Sequence, residues 1–191
     1  MIIGILALQG DFALHQAVFN KLEIESVQVR TPRELSKCDA LVLPGGESTT
    51  LVKLVKKNNL ETAVKNFGRE KVIFGTCAGL ILLANKVINQ PISPLQILNI
   101  TVERNAYGRQ RESFIDFIDL NSTFEIKNFE GVFIRAPKIT QIGEGVKILA
   151  SYKNSPVFVE SERTLGATFH PELTNDTRIH RYILDKIKDT L

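Results

Sequence analysis

The sequence predicts an α/β protein: a parallel sheet with helices on both faces, extended by antiparallel strands. Three observations carry this. In the first half, short continuous apolar runs alternate with segments of helical periodicity. Glycine-rich breaks follow those runs, where the strands of such a sheet would end. From residue 97 to 169 the pattern changes to short β-rich runs divided by turn residues, as hairpins require. A chain of 191 residues suits one domain, read here as residues 1–191, and is long enough to bury a substantial core.

Taken in order, residues 1–8 (MIIGILAL) are a near-continuous apolar run, the mark of a strand buried on both faces. The polar break Gln9-Gly10-Asp11 follows. Residues 12–22 then carry Phe12, Leu14, Val18, Phe19 and Leu22 at helical spacing. Residues 26–30 read as a short strand. Residues 39–43 (DALVL) read as a buried one, stopped by Pro44-Gly45-Gly46. Ser48 or Thr49 is placed to cap the next helix, whose apolar face holds Leu51, Leu54 and Val55. Residues 60–67 read as a further helix, 71–74 as a strand and 78–84 as a helix. Strands are then expected at 98–102, 114–119, 131–134, 146–151, 156–160 and 165–169. An amphipathic helix over 176–190, with Ile179, Tyr182, Ile183 and Ile187 on one side, is capped by Thr174, Asn175 or Asp176. In a parallel sheet with right-handed crossovers, Gln9-Gly10, residues 44–48 and residues 75–79 meet at one edge, where sites of such folds form.

Composition excludes several classes. A net charge of +3, without a basic block, gives no support to nucleic-acid binding. The lysines between 53 and 57 are spaced as on one wet helical face. No segment approaches the roughly 18 apolar residues of a membrane span. The N-terminal apolar run lacks the basic flank of a signal peptide, which predicts a cytosolic protein. In a reducing compartment the two cysteines, Cys38 and Cys77, stay unpaired. Cys38 precedes an apolar strand and reads as core. There is no CxxC or HExxH, so neither a metal nor a cofactor is expected.

The chemistry-bearing stretch is Gly75-Thr76-Cys77-Ala78-Gly79, a G-x-C-x-G between a strand and a helix. A nucleophile in such a turn sits in strained backbone that flanking glycines relieve. The helix N-terminus after it favours thiolate and an oxyanion. A small cysteine packing a strand–helix joint remains the alternative. A thiolate that attacks acyl groups needs a proton-transfer partner. His15 and His180 lie inside helical patterns, where a surface or packing role is the default. His170 instead ends a strand-like run and precedes Pro171-Glu172. In extended chain, residues two apart point the same way, so Glu172 can orient the ring of His170; His170 and Glu172 as turn and helix caps is the other reading. Gly45-Gly46 can turn a backbone N–H toward a ligand, and the N–H groups of Gly46 and Ala78 can form an oxyanion hole.

These pieces, in this order, resemble the class I (triad) glutamine amidotransferase family over essentially the whole chain. Residues 7–10 (ALQG), 43–50 (LPGGESTT), 74–80 (FGTCAGL), 104–110 (RNAYGRQ), 133–137 (FIRAP) and 170–172 (HPE) resemble in particular its branch of glutaminase subunits of pyridoxal 5′-phosphate synthase. The resemblance implies a three-layer, flavodoxin-like fold with a mostly parallel central sheet. It implies that Cys77 attacks the side-chain amide of L-glutamine, that His170 moves the protons and that Glu172 orients His170. Gly46, Glu47, Ser48, Arg104, Ile134 and Arg135 would then line the glutamine pocket. An arginine fork suits the substrate carboxylate, although surface ion pairs are the plain alternative for Arg104 and Arg135. It further implies ammonia delivery to a (β/α)-barrel synthase subunit in a large hetero-oligomer, and weak glutaminase activity until docking. Gln9 and Gly10 would link docking to the oxyanion loop. The competing reading within the family is a glutaminase serving another synthase, such as imidazole glycerol phosphate synthase. A non-catalytic binding subunit with the same fold is the reading from a different class.

Overall fold

The apolar runs of the first half become the centre of a nine-stranded sheet. The computed structural model describes residues 1–89, 91–104 and 113–190. In chain order these form β1 (Ile3–Leu6), α1 (Phe12–Lys21), β2 (Ser26–Val29), α2 (Pro32–Leu35), β3 (Ala40–Leu43), α3 (Ser48–Lys57), α4 (Leu60–Glu70) and β4 (Val72–Thr76). Next come α5 (Ala78–Leu83), β5 (Ala84–Ile88), β6 (Leu98–Glu103), β7 (Ser113–Leu120), β8 (Asn128–Ile134) and β9 (Lys138–Ile142). The chain continues with β10 (Lys147–Tyr152), β11 (Ser155–Glu160), β12 (Thr164–Ala167), a 3₁₀ turn (Pro171–Leu173) and α6 (Arg178–Lys188).

The large sheet runs β2-β1-β3-β4-β12-β11-β10-β7-β8. The first five strands are parallel, in the order typical of flavodoxin-like sheets. From β12 onward every pairing is antiparallel, so the expected hairpins are present. The sheet is therefore parallel where it carries the site and antiparallel beyond it. A small second sheet, β5-β6-β9, flanks it.

Alternation along the central strands divides the core in two. Ile3, Ile5, Val42 and Phe74 point to the face covered by α1 and α6, where Phe19, Ile179, Ile183 and Ile187 complete the packing. Leu41, Leu43 and Ile73 point to the other face, under α2 to α5 and β6. Each such large side chain contributes about 1.5–3 kcal/mol on leaving water. Cys38 is buried in the second cluster, as expected of a core residue.

Local details depart from the sequence reading. The cap of α3 is Glu47, whose carboxylate accepts from the N–H groups of Thr49 and Thr50 at 3.0 and 2.7 Å. Neither Ser48 nor Thr49 caps it; a longer carboxylate reaches two orphan donors where a hydroxyl satisfies one. Asp176 accepts from the N–H of Arg178 at 3.0 Å, but the residue at the α6 cap itself is Thr177. Three elements escaped the periodicity: α2, β5 and β9. Helix α2 is one turn long, yet Thr31-Pro32-Arg33-Glu34 carries its signature, a capping box with proline at the first helical position.

Candidate active site

Strand β4 ends at Thr76, and Cys77 turns the chain into α5. Its backbone has φ +46° and ψ −100°, a strained conformation for a residue with a side chain. Two hydrogen bonds hold it. Its N–H donates to the carbonyl of Ala167 at 2.9 Å, and its own carbonyl accepts from Ile81 at 3.1 Å. Close packing of α5 on β3 requires Gly79, where a Cβ would fall 1.9 Å from the carbonyl oxygen of Leu43. The elbow read from G-x-C-x-G is thus present, with Ala78 as the first residue of the helix and its N–H among the unpaired donors at that end.

His170 follows β12, the neighbour of β4, so sheet order sets it beside Cys77. The His170 N–H donates to the carbonyl of Val132 at 2.8 Å. Its ring Nδ1 lies 2.7 Å from Glu172 Oε1. The pair does not come from the extended backbone that the sequence predicts. Pro171 opens a 3₁₀ turn, and Glu172 reaches back to the ring from inside it. Both side chains are buried. Burial alone would lower the His170 pKa; the nearby Cys77 sulfur and the Glu172 carboxylate outweigh it and push it up to about 10. Burial would raise the Glu172 pKa, but His15 and His170 hold it below the usual carboxylate value. The other ring nitrogen, Nε2, is buried without a hydrogen-bond partner among the described residues. Cys77 Sγ lies 3.7 Å from the carbonyl oxygen of Ile134, to which the thiol donates.

The Pro44–Ser48 loop closes the third side. Gly46 has φ +138°, open to glycine and strained for other residues. Gln9 packs against it and accepts from the N–H of Glu47 at 3.1 Å. Gly10 packs against the carbonyl of Gly45. The Glu47 carboxylate caps α3; burial acts to raise its pKa, and the N–H donors of Thr49 and Thr50 outweigh that, bringing it to about 2. Arg104 joins the same cluster, with its guanidinium 3.1 Å from Glu47 Oε1 and 3.2 Å from Thr49 Oγ1.

These loops enclose a cavity of about 590 Å³ lined by Gly46, Glu47, Ser48, Cys77, Arg104, Ile134, Arg135 and His170, together with Asp11, Ile81 and Ser113. Every expected site residue except Ala78 and Glu172 lines it, and Glu172 stands behind His170. Residues 105–110 of the RNAYGRQ stretch lie outside the described residues. Ser48 Oγ is buried without a hydrogen-bond partner among the described residues. Arg104 is paired with Glu47 and also lines the cavity.

The sequence reasoning missed Asp11, whose Oδ2 is 3.7 Å from His170 Nδ1, and also His15, Thr76 and His180. With Glu172 and His170, Asp11 makes a group of three potential metal donors; the 2.7 Å His170–Glu172 contact gives that imidazole nitrogen a partner already. His15 and His180 are fully buried, so neither has the surface role that the helical patterns also allowed. His15 lies three residues after Phe12 and four before Phe19, and His180 three before Ile183. Helical spacing therefore put both on inward faces.

The chain matches the SNO glutamine amidotransferase family over residues 5–189. It is 48% identical to the pyridoxal 5′-phosphate synthase subunit PdxT of Thermosipho africanus, across 98% of this chain and 100% of that protein. It is 49% identical to the PdxT subunit of Dictyoglomus turgidum, across 99% and 100%. A crystal structure described as a glutamine amidotransferase superposes with a TM-score of 0.92 at 43% identity, covering 98% of this chain and 100% of that one. The PurLQS structure from Thermotoga maritima shares the fold at a TM-score of 0.68 and 15% identity, covering 99% and 96%. An elbow cysteine, a buried histidine–glutamate pair and this match along nearly the whole sequence agree: the chain belongs to the SNO glutamine amidotransferase family.

Proposed function

We propose that this chain is the glutaminase subunit of a pyridoxal 5′-phosphate synthase, hydrolysing L-glutamine to L-glutamate and passing the ammonia to a synthase subunit. The observation that carries the chemistry is the Cys77 elbow opening into the cavity that His170 also lines, with Glu172 behind the imidazole. The relatives named PdxT support the choice of synthase.

In this reading His170 takes the Cys77 proton, and the thiolate attacks the amide carbonyl carbon. The N–H groups of Gly46 and Ala78 hold the tetrahedral oxyanion. The imidazolium returns its proton to the leaving nitrogen, ammonia departs, and a glutamyl thioester remains on Cys77. His170 then removes a proton from water, which attacks the thioester, releasing glutamate and restoring the thiol. Glu172 keeps the imidazolium charged and turned. Arg104 and Arg135 stand where a substrate carboxylate can be held, with Glu47 and Ser48 for the amino group. Ammonia passes to a (β/α)-barrel partner that combines it with ribose 5-phosphate and glyceraldehyde 3-phosphate.

The thiol of Cys77 faces the Ile134 carbonyl, and His170 Nε2 has no hydrogen-bond partner among the described residues, which fits a subunit whose proton transfer tightens on docking. The Gln9 contact with the oxyanion loop offers the route. The test is glutamate release by the chain alone and with the synthase subunit. Turnover that rises on mixing and vanishes in Cys77→Ala supports the proposal; turnover retained in Cys77→Ala removes it.

A further inference from the structure

The proposed mechanism uses one of three histidines. The other two are 0% exposed and lie directly behind it. His15 Nε2, on α1, is 3.4 Å from Glu172 Oε2 and 3.3 Å from Thr76 Oγ1. Its Nδ1 is 3.3 Å from Nε2 of His180 on α6. Phe19 and Phe74 meet the His180 ring edge-on and seal the site from solvent. Polar rings are costly in such a place unless their hydrogen bonds are met, and the inward position one turn further along α1 is held by Phe19.

A donor on His15 facing the Glu172 carboxylate would set the direction of the whole chain. An ionised carboxylate only accepts. Glu172 Oε1 takes the Nδ1–H of His170, while Oε2, buried without a hydrogen bond among the described residues, has His15 Nε2 facing it at 3.4 Å. For His15 to serve Oε2, its hydrogen must sit on Nε2, where Thr76 Oγ1 shares it. Nδ1 of His15 is then an acceptor, so His180 must donate from its own Nε2. With His15 donating toward Glu172, each ring has one tautomer. We propose that His15, its tautomer set by His180, is a positioning residue for the triad: it holds the far oxygen of Glu172, so that the near oxygen keeps the His170 imidazole turned toward Cys77.

This inference rests on the Cys77–His170–Glu172 reading and deepens it. His15 does not line the substrate cavity, so its effect falls on turnover and leaves glutamine binding alone. Neutrality is part of the role. Glu172, His170, Asp11 and His180 are the titratable groups around it, and a proton on His15 would compete with the His170 imidazolium for the same carboxylate. Burial, opposed by the charge of Glu172, lowers the His15 pKa.

The test has two arms. In the first, the full chain with its synthase subunit is assayed as His15→Met, His15→Gln and Cys77→Ala. Methionine fills the space without a donor, whereas the glutamine amide can donate near the imidazole Nε2 position. His15→Met lowers kcat about tenfold with KM for glutamine unchanged, and His15→Gln recovers kcat to within about threefold of the parent. Equal loss in both variants, or full activity in His15→Met, overturns the proposal. Should His15→Met fail to fold, the second arm decides: long-range ¹H–¹⁵N correlation on the histidine-labelled parent chain, where three imidazoles give a readable spectrum. It must show His15 and His180 each protonated on Nε2 between about pH 6 and 8. A proton on His15 Nδ1 overturns the proposal. An inactive Cys77→Ala beside a fully active His15→Met removes this inference alone, whereas turnover in Cys77→Ala removes the triad beneath it.

Discussion

Cys77 has a left-handed backbone, a cost that a packing residue has no reason to bear. The strain has a use if the side chain must project into the cavity while the backbone turns into α5. Glu172 does not line that cavity, and in the proposed mechanism it acts through His170. Glu172→Gln should therefore lower glutaminase kcat by about 10²–10⁴ with little change in KM, as loss of an orienting carboxylate does; steady-state kinetics with the synthase subunit present read it. In the proposed mechanism Arg104 serves binding. Arg104→Gln should raise KM and leave kcat nearly intact, because a contact made equally in the ground and transition states affects binding alone. An unchanged KM would return Arg104 to a structural role with Glu47. At this scale the sequence was legible wherever chemistry and turn coincide: Cys77 between glycines, and His170 two residues from Glu172. It was not legible for His15 and His180. Their spacing gave the inward face, but their partners come from β4, α1, α6 and the 3₁₀ turn, separated by up to 165 residues.

The elements meet because sheet order brings four strand ends together. Strands β1, β3, β4 and β12 are neighbours, and the Gln9–Gly10 turn, the Pro44–Ser48 loop, Cys77 and His170 follow them in turn. The alternation of apolar run and helix predicts this edge, although the sequence does not say that β12, from the second half, would sit against β4. Helix α5 is the most tightly placed element. Gly79→Ala sets a methyl 1.9 Å from the Leu43 carbonyl, so it should destabilise the fold by about 1–3 kcal/mol or more, seen as a lower urea midpoint. A midpoint equal to the parent's would show that α5 shifts freely on β3. Strands β5 and β9 escaped the reading for a physical reason. Their exposed Asn85, Lys86, Thr140 and Gln141 interrupt the apolar runs, because a small flanking sheet buries one side only. The Glu47 cap was hidden similarly: a carboxylate spanning two donors looks, in sequence, like a substrate ligand.

Across the whole molecule, one core lies on each face of the sheet, and the two buried histidines belong to the face under α1 and α6. Burial, reinforced by His15, lowers the His180 pKa to about 3. In the unfolded chain the group takes its proton near the ordinary value of 6.5. The unfolded state thus binds the extra proton between those limits, and stability falls as pH drops from about 6.5 toward 3, at a slope of about 1.4 kcal/mol per pH unit for one proton. His180→Gln should flatten that slope by one proton, measured as urea midpoints against pH; an unaltered slope would mean that His180 does not titrate on unfolding. His170 behaves in the opposite sense. Its raised pKa contributes stability that is full below about 6.5 and is lost as pH rises through about 10. No helix among the described residues is long and apolar enough to cross a membrane.

The central claim is that Cys77 forms a covalent bond to the glutamyl group during turnover. The direct measurement is acid quenching of the chain with its synthase subunit and glutamine, followed by peptide mass mapping. The account predicts a glutamyl adduct on the peptide carrying Cys77, none on that carrying Cys38, and neither adduct nor glutamate release in Cys77→Ala. Glutamate release by Cys77→Ala, or an adduct on another residue with Cys77 unmodified, would contradict it.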